Sequence, residues 1–117
     1  ILDAYNANPT SMMAALQHFN TIKANSKMVF LGDMFELGET AQEEHQEIIE
    51  YLSSTNIGEI HLIGSYFSKT KLQAKNYHQY KTFEQFESTF ENAIPEDTII
   101  LIKASRGMAL ERIVTLL

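Results

Sequence analysis

The run Thr98-Ile-Ile-Leu-Ile-Lys103 is apolar at four consecutive positions and closes on a cation. The run Lys27-Met-Val-Phe-Leu-Gly32 has the same character and closes on glycine. Short, nearly continuous apolar stretches of this kind are expected of strands covered on both faces, which is the condition of a parallel sheet. Glu59-Ile-His-Leu-Ile-Gly64 is a third such run, Tyr77–Tyr80 a weaker edge candidate, and Ile1–Ala4 a short apolar start that suits the end of a strand.

Between these runs the apolar period changes from two to 3.6. Met12, Ala15, Leu16, Phe19 and Ile22 form one helical stripe, entered at Asn8-Pro9 and closed at Asn25 and Ser26. Ala41, His45, Ile48, Ile49 and Leu52 form a second, for which Thr40 and Glu43 spell a capping box. A helix is expected from about Tyr66 to Ala74. Another, capped by Thr82, carries Phe83, Phe86, Phe90 and Ile94, and the last spans Arg106 to Leu117. Strands alternating with amphipathic helices imply a three-layer α/β, Rossmann-like domain with a mostly parallel sheet flanked by helices. The 117 residues suit one domain, 1–117, with no repeat or linker inside it. The opening ILDAYNANP, without an initiator Met, reads as a piece of a longer chain.

Composition narrows the function classes. The formal charge is −6, with only 9 Lys and Arg, which disfavours a nucleic-acid surface or an anionic membrane. No apolar run reaches the roughly 18 residues of a membrane span. There is no cysteine, so disulfides and thiolate metal sites are excluded, and a cytoplasmic location is expected.

Ligands of such sheets gather at the carboxyl ends of the strands. Four polar clusters fall there: Asp3–Asn8, Gly32-Asp33, Gly64-Ser65 and Lys103–Arg106. Gly64-Ser65 reads as a plain turn. Neither G-x-x-x-x-G-K-[ST] nor G-x-G-x-x-G occurs, so a triphosphate has no P-loop here. The four histidines, His18, His45, His61 and His78, show no pair at metal-ligand spacing, and no metal site is expected. His45 is either a buried histidine bonded to a loop carbonyl or a catalytic group.

Three motifs in order carry a resemblance. DAYNANPTSMMAAL (Asp3–Leu16), FLGDMFELGETAQEEH (Phe30–His45) and LIKASRGMALERIV (Leu101–Val114) resemble segments of the C-terminal domain of Mur ligases. The G-D-M-x-E-L-G stretch is similar to that of the members adding D-alanyl-D-alanine. One departure is Ala104, where the family usually has Gly; a methyl there is expected to narrow the approach of backbone to ligand.

The resemblance implies an ATP-dependent amide ligase whose N-terminal and central domains belong to the same chain. It implies that UDP-N-acetylmuramoyl-tripeptide and D-alanyl-D-alanine are the substrates, and that ATP and magnesium are held mainly by the central domain. This domain would close over the site, catalysing nothing alone. Asp3 matches the aspartate facing the nucleotide ribose, and Tyr5, Asn6 and Asn8 match the same loop, with helix capping as the alternative for Asn8. Lys103, Ser105 and Arg106 match the closing motif and would face the dipeptide carboxylate. Asp33 and Glu36 either brace their loop or touch substrate. A ligase adding a different amino acid, or a stand-alone Rossmann-like binding module, are the competing readings.

Overall fold

The computed structural model describes residues 2–3, 7–72, 74–91 and 93–117; for residues 2 and 3 it describes the backbone alone. Five strands, β1 (Leu2–Asp3), β2 (Ser26–Gly32), β3 (Glu59–Ile63), β4 (Tyr77–Tyr80) and β5 (Thr98–Lys103), form one sheet in the order β1-β5-β2-β3-β4. Every pairing is parallel, as the continuous apolar runs predict. The strand with the most apolar sequence, β5, is flanked by β1 and β2.

The two faces of the sheet carry different cores. Val29, Leu31, Ile60, Leu62 and Leu101 face α1 (Pro9–Thr21) and α2 (Ala41–Leu52), meeting Met12, Leu16, Phe19, Ile48, Ile49 and Leu52. Burying each such side chain is worth about 1.5–3 kcal/mol. Met28, Phe30, Ile63 and Ile102 face the other way, against α3 (Phe83–Thr89) and the C-terminal segment through Phe83, Phe86, Leu110 and Ile113. The alternation along β2 is the period-2 pattern of a pleated strand.

Helix ends follow local chemistry. The Asn8 side chain accepts from the Ser11 N–H at 2.9 Å and the Ser11 hydroxyl accepts from the Asn8 N–H at 3.0 Å, a reciprocal cap ahead of Pro9. Thr82 caps α3 through the Gln85 N–H. Thr40 precedes α2 without capping it; its hydroxyl meets Glu44 and the Leu37 carbonyl instead.

Four expected helices come out shorter, among them α3, which ends at Thr89 with Phe90 already extended and Ile94 beyond it. The first stops at Thr21, with Ile22 already extended and the Lys27 ammonium donating to the Asn20 carbonyl. The segment from Tyr66 shrinks to a 3₁₀ turn, Phe67–Lys69, because the Gln79 amide takes the carbonyls of Phe67 and Thr70. The final helix becomes two 3₁₀ stretches, Arg106–Met108 and Leu110–Leu116, separated by Ala109 in the left-handed region (φ 51°). A residue there interrupts a right-handed helix. The Arg112 guanidinium, 3.8 Å above the Phe83 ring, donates to the carbonyls of Met108 and Ala109.

Candidate functional site at the carboxyl ends of the strands

The chain leaves β2 toward α2 on one face and leaves β5 toward the C-terminal segment on the other. Adjacent strands whose connections diverge in this way open a crevice beyond their carboxyl ends, the usual ligand position in such sheets. The loops bordering it are 33–40 and 104–106.

Hydrogen bonds tie these loops together. Ser105 donates its N–H to the Asp33 carbonyl at 3.1 Å. Its hydroxyl accepts from the Phe35 N–H at 2.8 Å and donates to the Ala7 carbonyl at 3.4 Å. The loops after β1, β2 and β5 therefore meet on one buried hydroxyl, 2% exposed.

Asp33 does the same toward β3. Its carboxylate is 1% exposed and accepts the Tyr66 N–H at 2.9 Å and the Phe67 N–H at 3.0 Å, one on each oxygen, with the Ser65 hydroxyl 3.4 Å away. Gly64 makes room for it: at φ +131°, a β-carbon there would lie 2.2 Å from the Asp33 carboxyl carbon. Gly64-Ser65 is thus the seat of a buried carboxylate rather than a plain turn.

His45 completes the brace. It is fully buried, accepts the Met34 N–H on Nε2 at 2.9 Å and lies 2.6 Å from the Ala41 carbonyl through Nδ1. With the Met34 N–H donating to Nε2, Nδ1 carries the ring's proton. The ring stacks on Tyr66 and meets Phe67 edge-on. It is a buried histidine bonded to a carbonyl, although that carbonyl belongs to its own helix rather than to a loop.

The structure thus sorts the residues singled out in the sequence. Asp33 is nearly fully buried with both carboxylate oxygens accepting backbone N–H groups, the bracing arrangement of its two readings. Ser105 is likewise buried, its hydroxyl engaged by the Phe35 N–H and the Ala7 carbonyl, so in this structure it joins loops. Lys103 is 3% exposed at the end of β5, where Asp3 is its register partner on β1. Arg106 and Glu36 are exposed at the crevice, and Asn8 is an exposed helix cap. The side chain of Asp3, and Tyr5 and Asn6 altogether, lie outside the described residues. Ala104 points its methyl into the core beside Gly32, not toward the crevice.

Phe35 is the residue the sequence reading passed over. It is 42% exposed, its N–H is fixed by Ser105, and its ring lies close to Gly107. Glu36 beside it has φ 63°, a left-handed conformation that costs a non-glycine residue about 1–2 kcal/mol. The local signal is an aromatic residue between Met34 and Glu36, in a loop that also carries Leu37.

The fit of a triphosphate to this edge can be read from the donors. The N–H groups of Asp33, Met34, Phe35, Tyr66, Phe67 and Ser105 each have a protein acceptor. These six N–H groups are therefore engaged inside the protein.

A family model described as Mur ligase, glutamate ligase domain, matches residues 1–106. The chain belongs to the Mur ligase family. Among curated relatives, the UDP-N-acetylmuramoyl-tripeptide–D-alanyl-D-alanine ligase of Bacillus subtilis is 36% identical, over 97% of this chain and 26% of that protein. The ligase of the same name from Rickettsia prowazekii is 32% identical, over 97% of this chain and 26% of its own length. The chain spans about a quarter of the length of these relatives. Among solved structures, MurF from Acinetobacter baumannii superposes with a TM-score of 0.78 at 28% identity, over 95% of this chain and 25% of that one. MurF ligase from Thermotoga maritima, crystallised in complex with ADP, shares the fold with a TM-score of 0.77 at 23% identity, over 96% of this chain and 26% of that one. As a Mur ligase domain, the chain has its polar loops where the sheet topology opens its crevice.

One arrangement has no counterpart in the sequence spacing. His61 and His78, distant in sequence, are register partners across β3 and β4. With Glu59 they form a group whose potential ligand atoms lie within 4.8 Å of one another.

Proposed function

We propose that this chain is the C-terminal, closing domain of an ATP-dependent ligase that joins D-alanyl-D-alanine to UDP-N-acetylmuramoyl-tripeptide in the cytoplasm. The observation that carries the reading is the match to relatives of that one name along nearly the whole chain, at 32% and 36% identity for the two described above. In this reading the tripeptide carboxylate is phosphorylated by ATP. The dipeptide amine then attacks the acyl phosphate, forming the amide and releasing phosphate.

The chain's own part follows from its edge. With the N–H groups of Asp33, Met34, Phe35, Tyr66, Phe67 and Ser105 engaged internally and no P-loop in its sequence, it offers mainly side chains to the ligand. Binding of the triphosphate and magnesium is therefore assigned to the central domain, and of the UDP-sugar to the N-terminal domain. Asp3, Tyr5, Asn6 and Asn8 would supply nucleotide contacts. Lys103 and Arg106 would supply positive charge for the dipeptide carboxylate. Asp33, His45 and Ser105 would hold the loops that present these groups. Closure excludes water, which would otherwise hydrolyse the acyl phosphate.

The test is an ATP-dependent ligation assay on the full-length protein, offering D-alanyl-D-alanine and single amino acids in parallel. Product with the dipeptide alone supports the reading. Product with a single amino acid, or none with any, overturns it.

A further inference from the structure

We propose that Glu59, His61 and His78 form a binding site for a divalent transition-metal ion of the zinc class, separate from the ligase edge. The backbone itself brings the three together. Glu59 and His61 are two apart on β3 and so share a face, and His78 is the register partner of His61 on β4. All three lie on the α3 side of the sheet, and Glu59 begins its strand, so the group opens toward the amino ends of the strands.

The central ligand is preorganised. His61 is 7% exposed, its ring stacked between Phe30 and His78 at 4.8 Å on each side. Its Nδ1 is 3.0 Å from the Tyr80 hydroxyl, an outer hydrogen bond of the kind that fixes a metal-bound imidazole in orientation. Phe90 meets the ring edge-on. The other two ligands are adjustable: the His78 and Glu59 side chains are 41% and 47% exposed, with Nε2 and Oε2 2.7 Å apart. Tetrahedral bonds of 2.0–2.1 Å place donors about 3.4 Å apart, so the group closes on an ion when its two outer members rotate, the His78 ring turning out of its stack on His61.

Two imidazoles and one carboxylate form a donor set that zinc uses with an open fourth position, whereas magnesium and calcium prefer all-oxygen shells. The open position faces a cavity of about 580 Å³, walled by Met28, Phe90, Ile94 and Pro95 as well as by the three ligands. Water or a small anionic ligand fits there as the fourth donor.

Cobalt(II) is the probe, added to EDTA-stripped full chain, with absorption recorded in the visible. The expected result is one equivalent bound with the intense bands of a tetrahedral site, displaced by zinc. His78→Asn and Glu59→Gln, at half-exposed positions that leave the core intact by circular dichroism, should each weaken binding at least about 10-fold. Weak octahedral bands only, or variants binding within about twofold of the parent, would overturn the proposal.

Discussion

Ala104 and Gly32 occupy one methyl's worth of space between them. A β-carbon built on Gly32 would lie 2.6 Å from the Ala104 methyl and 2.9 Å from a Leu110 methyl. Gly32→Ala should therefore overpack the core between β2, β5 and the C-terminal segment, at a cost of about 1–3 kcal/mol. Adding Ala104→Gly should return part of that loss, giving a double-mutant coupling well above the few tenths of a kcal/mol of independent sites. Urea unfolding of the two single variants and the pair measures it. Additive losses would mean that Leu110, not Ala104, sets the limit.

That pair shows how far the sequence carries. The strands were legible because strands buried on both faces need apolar residues at every position, and α2 was legible down to its five inward residues. The failures share a cause. The Gln79 amide and the Arg112 guanidinium capture carbonyls that a longer helix would have used, and neither capture leaves a local trace. At the site, the four loop clusters are legible in the sequence, but the donation of the Tyr66 and Phe67 N–H groups to Asp33 comes from a loop 33 residues away and leaves no local trace. The grouping of His61 with His78 depends on the register of β4 against β3, and sequence spacing carries none of it.

The Asp33 brace should dominate the stability of the β2–β3 edge. Asp33→Ala leaves two buried N–H groups without their acceptor, at about 1–3 kcal/mol for each unsatisfied donor. Gly64→Ala should be at least as damaging, since its methyl would overlap that carboxylate and its φ of +131° disfavours any side chain. Thermal unfolding of both variants is the measurement, and a Gly64→Ala protein as stable as the parent would contradict the geometry.

Stability should fall in mild acid through His61. Burial, aided by the neighbouring His78, lowers its pKa from 6.5 to about 4. The groups facing it are Glu59 on its own strand and His78 and Tyr80 on β4. Between those pH values the unfolded chain takes up a proton that the folded chain refuses, so the contribution is whole above about 6.5. It fades as pH falls toward 4, amounting to roughly 2–3 kcal/mol at 1.36 kcal/mol per unit. Urea unfolding in EDTA at pH 7.5, 5.5 and 4.5, compared with His61→Phe, isolates this window. A variant with the same pH slope as the parent would assign the loss elsewhere.

Arg106 and Ser105 stand side by side yet should fail differently. Arg106 is exposed at the crevice, where a planar guanidinium can take a carboxylate on two prongs and an ammonium cannot. On the proposed function, Arg106→Lys in the full-length protein should lower kcat/KM for D-alanyl-D-alanine by about 10-fold to 100-fold, the worth of roughly 1.5–3 kcal/mol for a hydrogen bond to charge. The KM for ATP and the melting temperature should stay put. Ser105→Ala instead removes the acceptor of the Phe35 N–H and the donor to Ala7. It should loosen three loops together, lowering the melting temperature and harming both substrates alike. Steady-state kinetics with each substrate varied in turn, beside melting curves of both variants, distinguishes contact from scaffold. If Arg106→Lys damages ATP and dipeptide kinetics equally, the guanidinium serves domain closure rather than recognition of the carboxylate.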